Sequence, residues 1–323
     1  MKKFIINTTI FLLFTSVFYI VFLNLWGRYV PQRFKPNINY KIGSYGHMYS
    51  RLSEIKNYGE VDILFLGSSH TYRGFDTRIF SKNGYKTFNL GSSAQTPIQT
   101  MVLLNRYLDR LNPKLVIYEV YPETFTIDGV ESSLDIIAND KNDFQSLSMA
   151  FKINNIKTYN TLIYGLTRDL LGLNTSYTEP IIEGNDKYVS GGFVEKKMSF
   201  YQPTEFEKKE ISLRDDQLES FSEIVQMLND KDIKLILVYA PIPKVNYDSY
   251  LNTNYFDSVM QKYSTYYNFN EIISLNDSLD FYDSHHLNQN GVNIFDKKLI
   301  ELLNDNEAKR TTACIRNSGF SAK

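Results

Sequence analysis

Short apolar runs and segments with helical apolar spacing alternate in two parts of the chain. Four apolar runs predict buried strands: residues 61–66, 86–90, 115–118 and 234–239. Four segments in which apolar residues recur every three or four positions predict helices: residues 96–111, 218–228, 249–263 and 292–303. This alternation predicts an α/β fold in which a parallel sheet has helices on both faces.

A glycine-serine loop follows each of the first two predicted strands. Residues 67–69 read Gly-Ser-Ser directly after residues 61–66, and residues 91–93 read Gly-Ser-Ser after residues 86–90. Ligands of open parallel sheets bind at the carboxyl ends of the strands. The two loops are therefore expected at a functional site.

Residues 128–212 interrupt the alternation. Acidic and asparagine-rich stretches surround one predicted helix at residues 153–171. We interpret the segment as an insertion into one domain formed by residues 61–127 and 213–303. Such an insertion serves either as a lid or substrate platform or as a structural cap, and the sequence favours neither.

The segments at the two ends of the domain are also irregular. Residues 28–60 contain prolines, asparagines and glycines and are interpreted as a stalk that leads into the domain. Residues 304–323 are polar and have no apolar periodicity, so we predict a disordered tail.

The N-terminus carries an uncharged apolar run that begins at Phe4 and ends at Leu23. About 20 residues suffice for a helix to cross a bilayer. Trp26 and Tyr29 follow in place of a cleavage site and suit a membrane interface. Residues 1–27 therefore predict a cytoplasmic N-terminus and an uncleaved signal anchor, with the main domain periplasmic or extracellular. The alternative, a buried core helix, would usually have a polar stripe.

Composition narrows the function classes. Of 323 residues, 43% are hydrophobic and 15% aromatic, which is enough for a packed core. The net charge of -1 and the mixed signs along the chain argue against a nucleic-acid partner. The single cysteine, Cys314, excludes an internal disulfide and a cysteine-based zinc site. Only four histidines, at positions 47, 70, 285 and 286, can serve as a base.

Ser69 is a candidate nucleophile. If Ser69 opens a helix after the first strand, its backbone N–H points toward an oxygen bound there. A serine hydroxyl also requires a histidine within hydrogen-bond reach. His70 is adjacent in sequence but is expected to point elsewhere. The alternative is that glycine and serine merely form a turn.

Asp283 and His286 form the second candidate element. Their spacing of three places both on one side of a helical turn, where the carboxylate can hold the imidazole. Asp283 could instead cap the following helix. A metal site that adds His285 is disfavoured, because adjacent histidines usually diverge and the sequence offers no third ligand.

Together, Ser69, Gly91, Asp283 and His286 resemble the motif set of the SGNH/GDSL hydrolase superfamily. The similarity is to its membrane-anchored cell-envelope branch, which includes the D-alanyl transfer protein of teichoic acid modification and the alginate-type O-acetyltransferases. It covers residues 61–124 and 213–303. The resemblance implies a three-layer, flavodoxin-like sheet, with Ser69 as nucleophile, His286 as proton carrier and Asp283 orienting it. The N–H groups of Ser69 and Gly91 would form the oxyanion hole.

One block of that superfamily is absent. After its third strand the superfamily often has an asparagine that completes the oxyanion hole, whereas residues 118–122 here read Tyr-Glu-Val-Tyr-Pro. Gln95 is a possible replacement donor. Losing one oxyanion donor typically costs ~2.7 to 4 kcal/mol of transition-state stabilisation. Glu119, on a strand expected to be buried, either faces the site or forms an ion pair at the strand end.

The resemblance implies a membrane-anchored serine esterase or O-acyltransferase. Its expected substrate is a cell-envelope or secreted glycan or a lipid-linked saccharide, with a membrane protein as a possible acyl donor. No metal and no organic cofactor is expected. The alternative is a catalytically inactive module of the same fold that binds glycans or assists assembly.

Overall fold

The structure, a computed structural model, describes residues 1–43, 46–174 and 176–318, with the backbone alone described for residues 306–318. The helices are α1 (Lys2–Tyr29), α2 (Met48–Glu54), α3 (Ser69–Gly74), α4 (Thr77–Lys82), α5 (Pro97–Leu111), α6 (Val130–Asn139), α7 (Phe144–Ile153), α8 (Ile156–Leu170), α9 (Asp215–Asp230), α10 (Lys244–Tyr247), α11 (Thr253–Met260), α12 (Phe269–Ile272) and α13 (Gln289–Ser318). The strands are β1 (Ile63–Leu66), β2 (Thr87–Asn89), β3 (Leu115–Glu119), β4 (Ile182–Glu183), β5 (Asp186–Val189), β6 (Phe193–Lys196), β7 (Lys234–Tyr239) and β8 (Thr265–Asn268).

Five parallel strands form the central sheet in the order β2-β1-β3-β7-β8. This is the doubly wound order of flavodoxin-like folds. Helices cover both faces, so the predicted α/β architecture is confirmed. The carboxyl ends of β1, β2 and β3 are neighbours at one edge of the sheet, where the glycine-serine loops begin.

Alternating side chains of β1 build the two halves of the core. Leu64 and Leu66 lie in the cluster that includes α5 and α9, whereas Ile63 and Phe65 lie in the cluster that includes α13. All four side chains are buried. This explains why the strand reads as a continuous apolar run instead of an alternating one.

The last strand and the helix before it differ from the expectation. β8 was not predicted, because Thr265–Asn268 lacks the aliphatic residues of the inner strands and pairs only with β7. The helix expected at 249–263 is shorter, with α11 spanning Thr253–Met260. Asn252, whose side chain bonds the backbone of Ile211, holds the chain in a non-helical conformation just before α11.

The stretch expected to be an irregular stalk, residues 28–60, contains the helix α2. Met48, Leu52 and Ile55 of this stretch are fully buried in the main core. Their spacing of four and three residues puts them on one helical face. The second half of this segment is thus part of the folded domain.

The segment expected to be an insertion, residues 128–212, contains more structure than the one predicted helix. That helix corresponds to α8, and α6 and α7 precede it. Strands β4, β5 and β6 form a separate antiparallel sheet. The three helices contribute Ile136, Met149 and Leu162 to the main core.

Both termini are helical. The predicted disordered tail, residues 304–323, is wrong as far as Ser318, because α13 continues to that residue; residues 319–323 lie outside the described part. This segment contains no Gly or Pro before Gly319, and alanine, lysine and arginine favour helix. At the other end, α1 has a mean hydropathy of 2.1 over its most apolar 18 residues, none of them buried. It is long and apolar enough to cross a membrane.

Candidate active site

Ser69 is the first residue of α3, directly after the turn that ends β1. Gly67 has φ +134°, and a Cβ there would lie 2.6 Å from the backbone oxygen of Glu119. Only glycine fits this backbone. Ser68 caps α3, its hydroxyl accepting a hydrogen bond from the His70 N–H at 3.3 Å. The turn therefore presents Ser69 at the carboxyl edge of the sheet.

A tight loop between residues 281 and 288 holds the other two candidate residues. Phe281 and Leu287 form an antiparallel bridge, and both are buried in the core. Asn288 donates to the backbone oxygen of Leu279 at 2.8 Å and accepts from the N–H of Asn290 at 3.0 Å. The loop is thus fixed on both sides by packing and by the start of α13.

Asp283, His286 and Ser69 form one hydrogen-bonded chain. His286 Nε2 lies 2.7 Å from Ser69 Oγ, and His286 Nδ1 lies 2.9 Å from Asp283 Oδ2. Asp283 Oδ1 also accepts the backbone N–H groups of His285 and His286 at 3.0 and 2.8 Å. The three candidate residues are thus within hydrogen-bond reach of one another, which is the geometry that a serine nucleophile with a histidine base requires.

The pKa values in this chain suit a neutral base beside a carboxylate. Burial lowers the pKa of His286 to about 4, against the raising effect of Asp283. Burial raises the pKa of Asp283, but its hydrogen bond and charge interaction with His286 prevail and hold it well below the ordinary value. At neutral pH His286 can therefore accept the Ser69 proton, and Asp283 is ionised.

A stack of side chains fixes the orientation of the His286 ring. The Tyr282 ring lies parallel to it, with centroids 5.4 Å apart and planes 5° apart. Arg73 lies 5.8 Å from the Tyr282 ring and is bonded to both oxygens of Asp186, at 3.1 and 2.8 Å. Asp186 belongs to β5, so the small sheet helps to hold the histidine in place.

A second, buried hydrogen-bond chain lies behind Ser69. Glu119 Oε2 accepts from Ser68 Oγ at 3.2 Å, and Ser68 Oγ is 3.1 Å from His70 Nδ1. His70 Nε2 lies 2.9 Å from the backbone oxygen of His285. His70 thus points away from Ser69 and supports the loop that carries His286. The sequence analysis assigned His70 no role. The signal that could have found it is that the protein has only four histidines, and His70 is next to the candidate nucleophile Ser69.

Burial sets the protonation of this second chain. It raises the pKa of Glu119 to about 8, although the hydrogen bond from Ser68 opposes the shift. Burial also lowers the pKa of His70 well below its usual value, with the charges of His286 and His285 adding to the effect. Glu119 bonds a serine, and among the described residues no cation pairs with it, so the ion pair considered for it is not formed.

Gly91 packs directly on the turn before Ser69. A Cβ at Gly91 would lie 2.7 Å from the backbone oxygen of Ser68, so the two loops touch. That the Gly91 N–H donates a hydrogen bond to the oxyanion stays a prediction. Gln95 is buried and does not line the cavity beside Ser69; its amide nitrogen lies 2.9 Å from Thr100 Oγ1. Gln95 is therefore occupied inside the fold.

A cavity of about 560 Å³ opens in front of Ser69 and His286. All four histidines of the chain line it. Loops of the main domain form one wall, and the segment of residues 128–212 supplies Glu131, Glu183, Asp186 and Lys196. The segment is thus part of the site, and most of the lining is polar or aromatic.

Asp283, His285 and His286 also satisfy the distances of a metal site, since each offers one ligand atom within 4.8 Å of the others. His286, however, uses Nδ1 for Asp283 and Nε2 for Ser69. A metal ion bound there would have to replace one of these contacts. The donor set therefore fits the hydrogen-bonded chain better than it fits a metal.

No protein-family model and no curated protein matches the chain. A candidate acylhydrolase from Bacteroides fragilis NCTC 9343 is a similar solved structure, with 13% identity, a TM-score of 0.40, and 79% of this chain and 95% of that chain covered. A GDSL-like lipase from Bacteroides thetaiotaomicron VPI-5482 is another, with 12% identity, a TM-score of 0.40, and 80% and 97% covered. At these values the likeness carries no functional conclusion, which depends instead on the residues described above.

Proposed function

We propose that the protein is a serine esterase or O-acyltransferase that moves a small acyl group on a cell-envelope glycan. The observation that carries the proposal is the hydrogen-bonded chain from Ser69 through His286 to Asp283, with 2.7 and 2.9 Å between the reacting atoms. These residue types in this order perform acyl transfer through a covalent intermediate.

The reaction would proceed in two halves. His286 Nε2 takes the Ser69 proton as Oγ attacks the ester carbonyl, and the N–H groups of Ser69 and Gly91 hold the oxyanion. The tetrahedral intermediate collapses, and His286 gives its proton to the leaving alcohol. A second hydroxyl, from water or an acceptor sugar, then loses its proton to His286 and attacks the acyl-serine. The second tetrahedral intermediate collapses, and His286 returns the proton to Ser69 Oγ as it leaves.

The cavity lining supports a polar substrate with a short acyl group. Ala94 and Ile127 are its only aliphatic lining residues apart from glycines, among the residues that the structure describes. A long acyl chain would require an extended apolar channel. Three tyrosines and several charged groups suit the hydroxyls and ring faces of a sugar: Tyr72, Tyr121, Tyr282, Arg73, Glu123 and Asp186.

The N-terminal helix supports a location at the cell envelope. α1 has the length and hydropathy of a membrane span. With the N-terminus inside, the cavity would face the periplasm or the exterior, where glycans are modified. A lipid-linked saccharide or a surface polymer would then be the acceptor, and a membrane protein would supply the acyl donor.

The test is acylation of the full-length protein in detergent with an activated acetyl ester, followed by intact-mass measurement. We expect an acetyl adduct on the wild-type protein and on Ser258→Ala, an exposed serine on α11, and none on Ser69→Ala. An adduct on Ser69→Ala would contradict the proposal. The absence of an adduct from every protein, including the wild type, with several short acyl donors would contradict it as well.

A partition experiment separates transfer from hydrolysis. The pre-acylated protein is mixed with saccharide acceptors, and acylated sugar and free acid are quantified. Acyl sugar as the main product would identify a transferase, whereas free acid alone would identify an esterase. Both outcomes retain Ser69 as the nucleophile, since they concern only the second half of the reaction.

The alternative of an inactive binding module is less consistent with the geometry. Such a module has no need to keep Ser69 and His286 in contact, and a wide separation of the two would favour it. The 2.7 Å contact and the ordered Asp283 carboxylate fit a working acid-base pair.

A further inference from the structure

Two neighbouring helices of the 128–212 segment present apolar stripes to the outside. On α7 the exposed residues Phe144, Leu147 and Phe151 recur every three or four positions. On α8 the exposed residues Ile156, Leu166 and Leu170 lie on one side, with Tyr159 and Ile163 half-buried between them. Phe151 is 64% exposed and Leu170 is 86% exposed. A soluble surface rarely keeps such a contiguous apolar area without a partner.

The two stripes join each other and continue onto α1. The rings of Phe151 and Tyr159 are in edge contact, with centroids 5.8 Å apart. Ile163 packs on the small apolar cluster that contains Leu23 of α1 and Tyr164 of α8. The apolar surface of α7 and α8 is therefore continuous with the apolar helix at the N-terminus.

Helix α8 lies alongside α1 and runs in the same direction. Tyr19 of α1 donates to Asn160 of α8 at 2.5 Å, and Asn24 donates to Thr167 at 3.1 Å. The two pairs are five and seven residues apart along their helices, so the helices run side by side. The two helices also pack closely at Gly27, where a Cβ would lie 2.6 Å from the Tyr164 ring.

The alignment of α8 with α1 gives the depth at which the residues between α7 and α8 would lie in a bilayer. Ile156 precedes Asn160 by four residues, about 6 Å at 1.5 Å per residue. Counted from the Tyr19–Asn160 pair it lies level with about residue 15 of α1, and counted from the Gly27–Tyr164 contact with about residue 19, so it lies about 6 to 12 Å inside the end of the apolar run at Leu23. If α1 crosses a bilayer, Phe151 and Ile156 lie within its outer leaflet. Lys152 next to them reaches Glu223 of α9, 3.0 Å away, and so extends away from the lipid.

We propose that α7 and α8 form a second membrane contact, in which their apolar stripes are immersed in the outer leaflet of the bilayer that α1 spans. The occupant is lipid, because the stripes continue a lipid-suited helix and are aligned with it in depth. An apolar helix face with charged groups at its border is typical of interfacial membrane binding. The cavity in front of Ser69 would then be held at a fixed height above the membrane.

Lipid quenching of a site-specific fluorophore tests the depth. The full-length protein in a Cys314→Ser background receives one cysteine at position 151 or 170, labelled with an environment-sensitive dye. Each labelled protein is reconstituted into pure phosphatidylcholine vesicles with and without lipids that carry a doxyl quencher in the acyl chain. We expect strong quenching for Phe151→Cys and weaker quenching for Leu170→Cys, because Leu170 is three residues beyond Thr167 and so lies level with about residue 27 of α1, outside the apolar run that ends at Leu23.

Two further positions provide the controls. Leu251→Cys is a matched negative control, because Leu251 is 61% exposed but lies just before α11 on the main domain. Val17→Cys, in the middle of α1, is the positive control. Quenching at 151 no greater than at 251 would overturn the proposal, since the stripes would then not be in contact with lipid. An unquenched label at 17 would overturn it as well, since α1 would then not be in the bilayer.

Discussion

Replacing Glu119 by glutamine should reveal a carboxyl group that is protonated at neutral pH. Glu119 is fully buried at the end of β3, and it accepts hydrogen bonds from the Ser68 hydroxyl, 3.2 Å away, and from the Ser68 backbone N–H. Burial raises its pKa from the ordinary 4.5 to about 8. Glutamine has nearly the shape of the protonated acid, so Glu119→Gln should leave the fold intact.

The pKa shift fixes the sign and size of the effect on stability. Between pH 4.5 and about 8 the unfolded chain releases the Glu119 proton while the folded protein keeps it. The free energy of unfolding therefore falls as pH rises through this window, by about 1.4 kcal/mol per pH unit. Over the whole window the loss amounts to about 5 kcal/mol, which the glutamine variant avoids.

The assay is thermal or urea unfolding of the full-length protein in detergent at pH 4.5, 6, 7 and 8.5. We expect wild type and Glu119→Gln to be close at pH 4.5 and the variant to be increasingly more stable above it. Glu123→Gln is the matched control. Hydrogen bonds from Lys209 and Tyr250 outweigh burial and lower the pKa of Glu123 below the ordinary 4.5, so its stabilising contribution is complete above that pH, and Glu123→Gln should be less stable than wild type by a nearly constant amount from pH 6 to 8.5. Parallel curves for wild type and Glu119→Gln would refute the reasoning.

Three further predictions concern the turn before Ser69 and the residues Asp283 and His286. Gly67→Ala should lower the melting temperature and the activity more than Gly84→Ala. Both glycines have positive φ, but only at Gly67 would the added Cβ meet a backbone oxygen, that of Glu119. The backbone strain alone costs about 1–3 kcal/mol. Asp283→Asn should lower kcat on an activated ester on the order of 10⁴-fold, because the imidazole loses its correct tautomer; a small loss would remove Asp283 from the mechanism. Because burial lowers the pKa of His286 to about 4, kcat/KM should hold on acidification until near pH 4, and a decline centred near 6.5 would contradict a neutral, buried base.

The sheet could be predicted because its inner strands are buried on both faces. Residues 63–66 and 234–239 read as apolar runs for that reason, and the glycine-serine loops mark where the first two strands end. Edge strand β8 is Thr-Tyr-Tyr-Asn and owes its conformation to pairing with β7. Such pairing is a tertiary effect that no local pattern contains.

The Asp283 and His286 pair could be proposed from spacing, whereas its surroundings could not. Ser68 and Glu119 are 51 residues apart, and no periodicity connects them. The backbone oxygen that His70 contacts belongs to a residue 215 positions away. The sequence did mark Glu119 as unusual in a buried strand, but only the fold supplies its partner. The apolar stripes of α7 and α8 were missed for another reason: exposed and buried apolar faces have the same helical spacing.

The packing of Tyr164 against Gly27 has a consequence for which substrates the protein can reach. A catalytic domain on a flexible tether could search a volume as wide as the tether is long, and could act on polymer segments far from the lipid. Here α1 and the domain share a packed contact that also includes Leu23 and Ile38. If α1 spans a membrane as proposed, an enzyme held in this way would work in a thin layer above it. Its acceptors would have to be modified while still near the bilayer, before they grow or move outward.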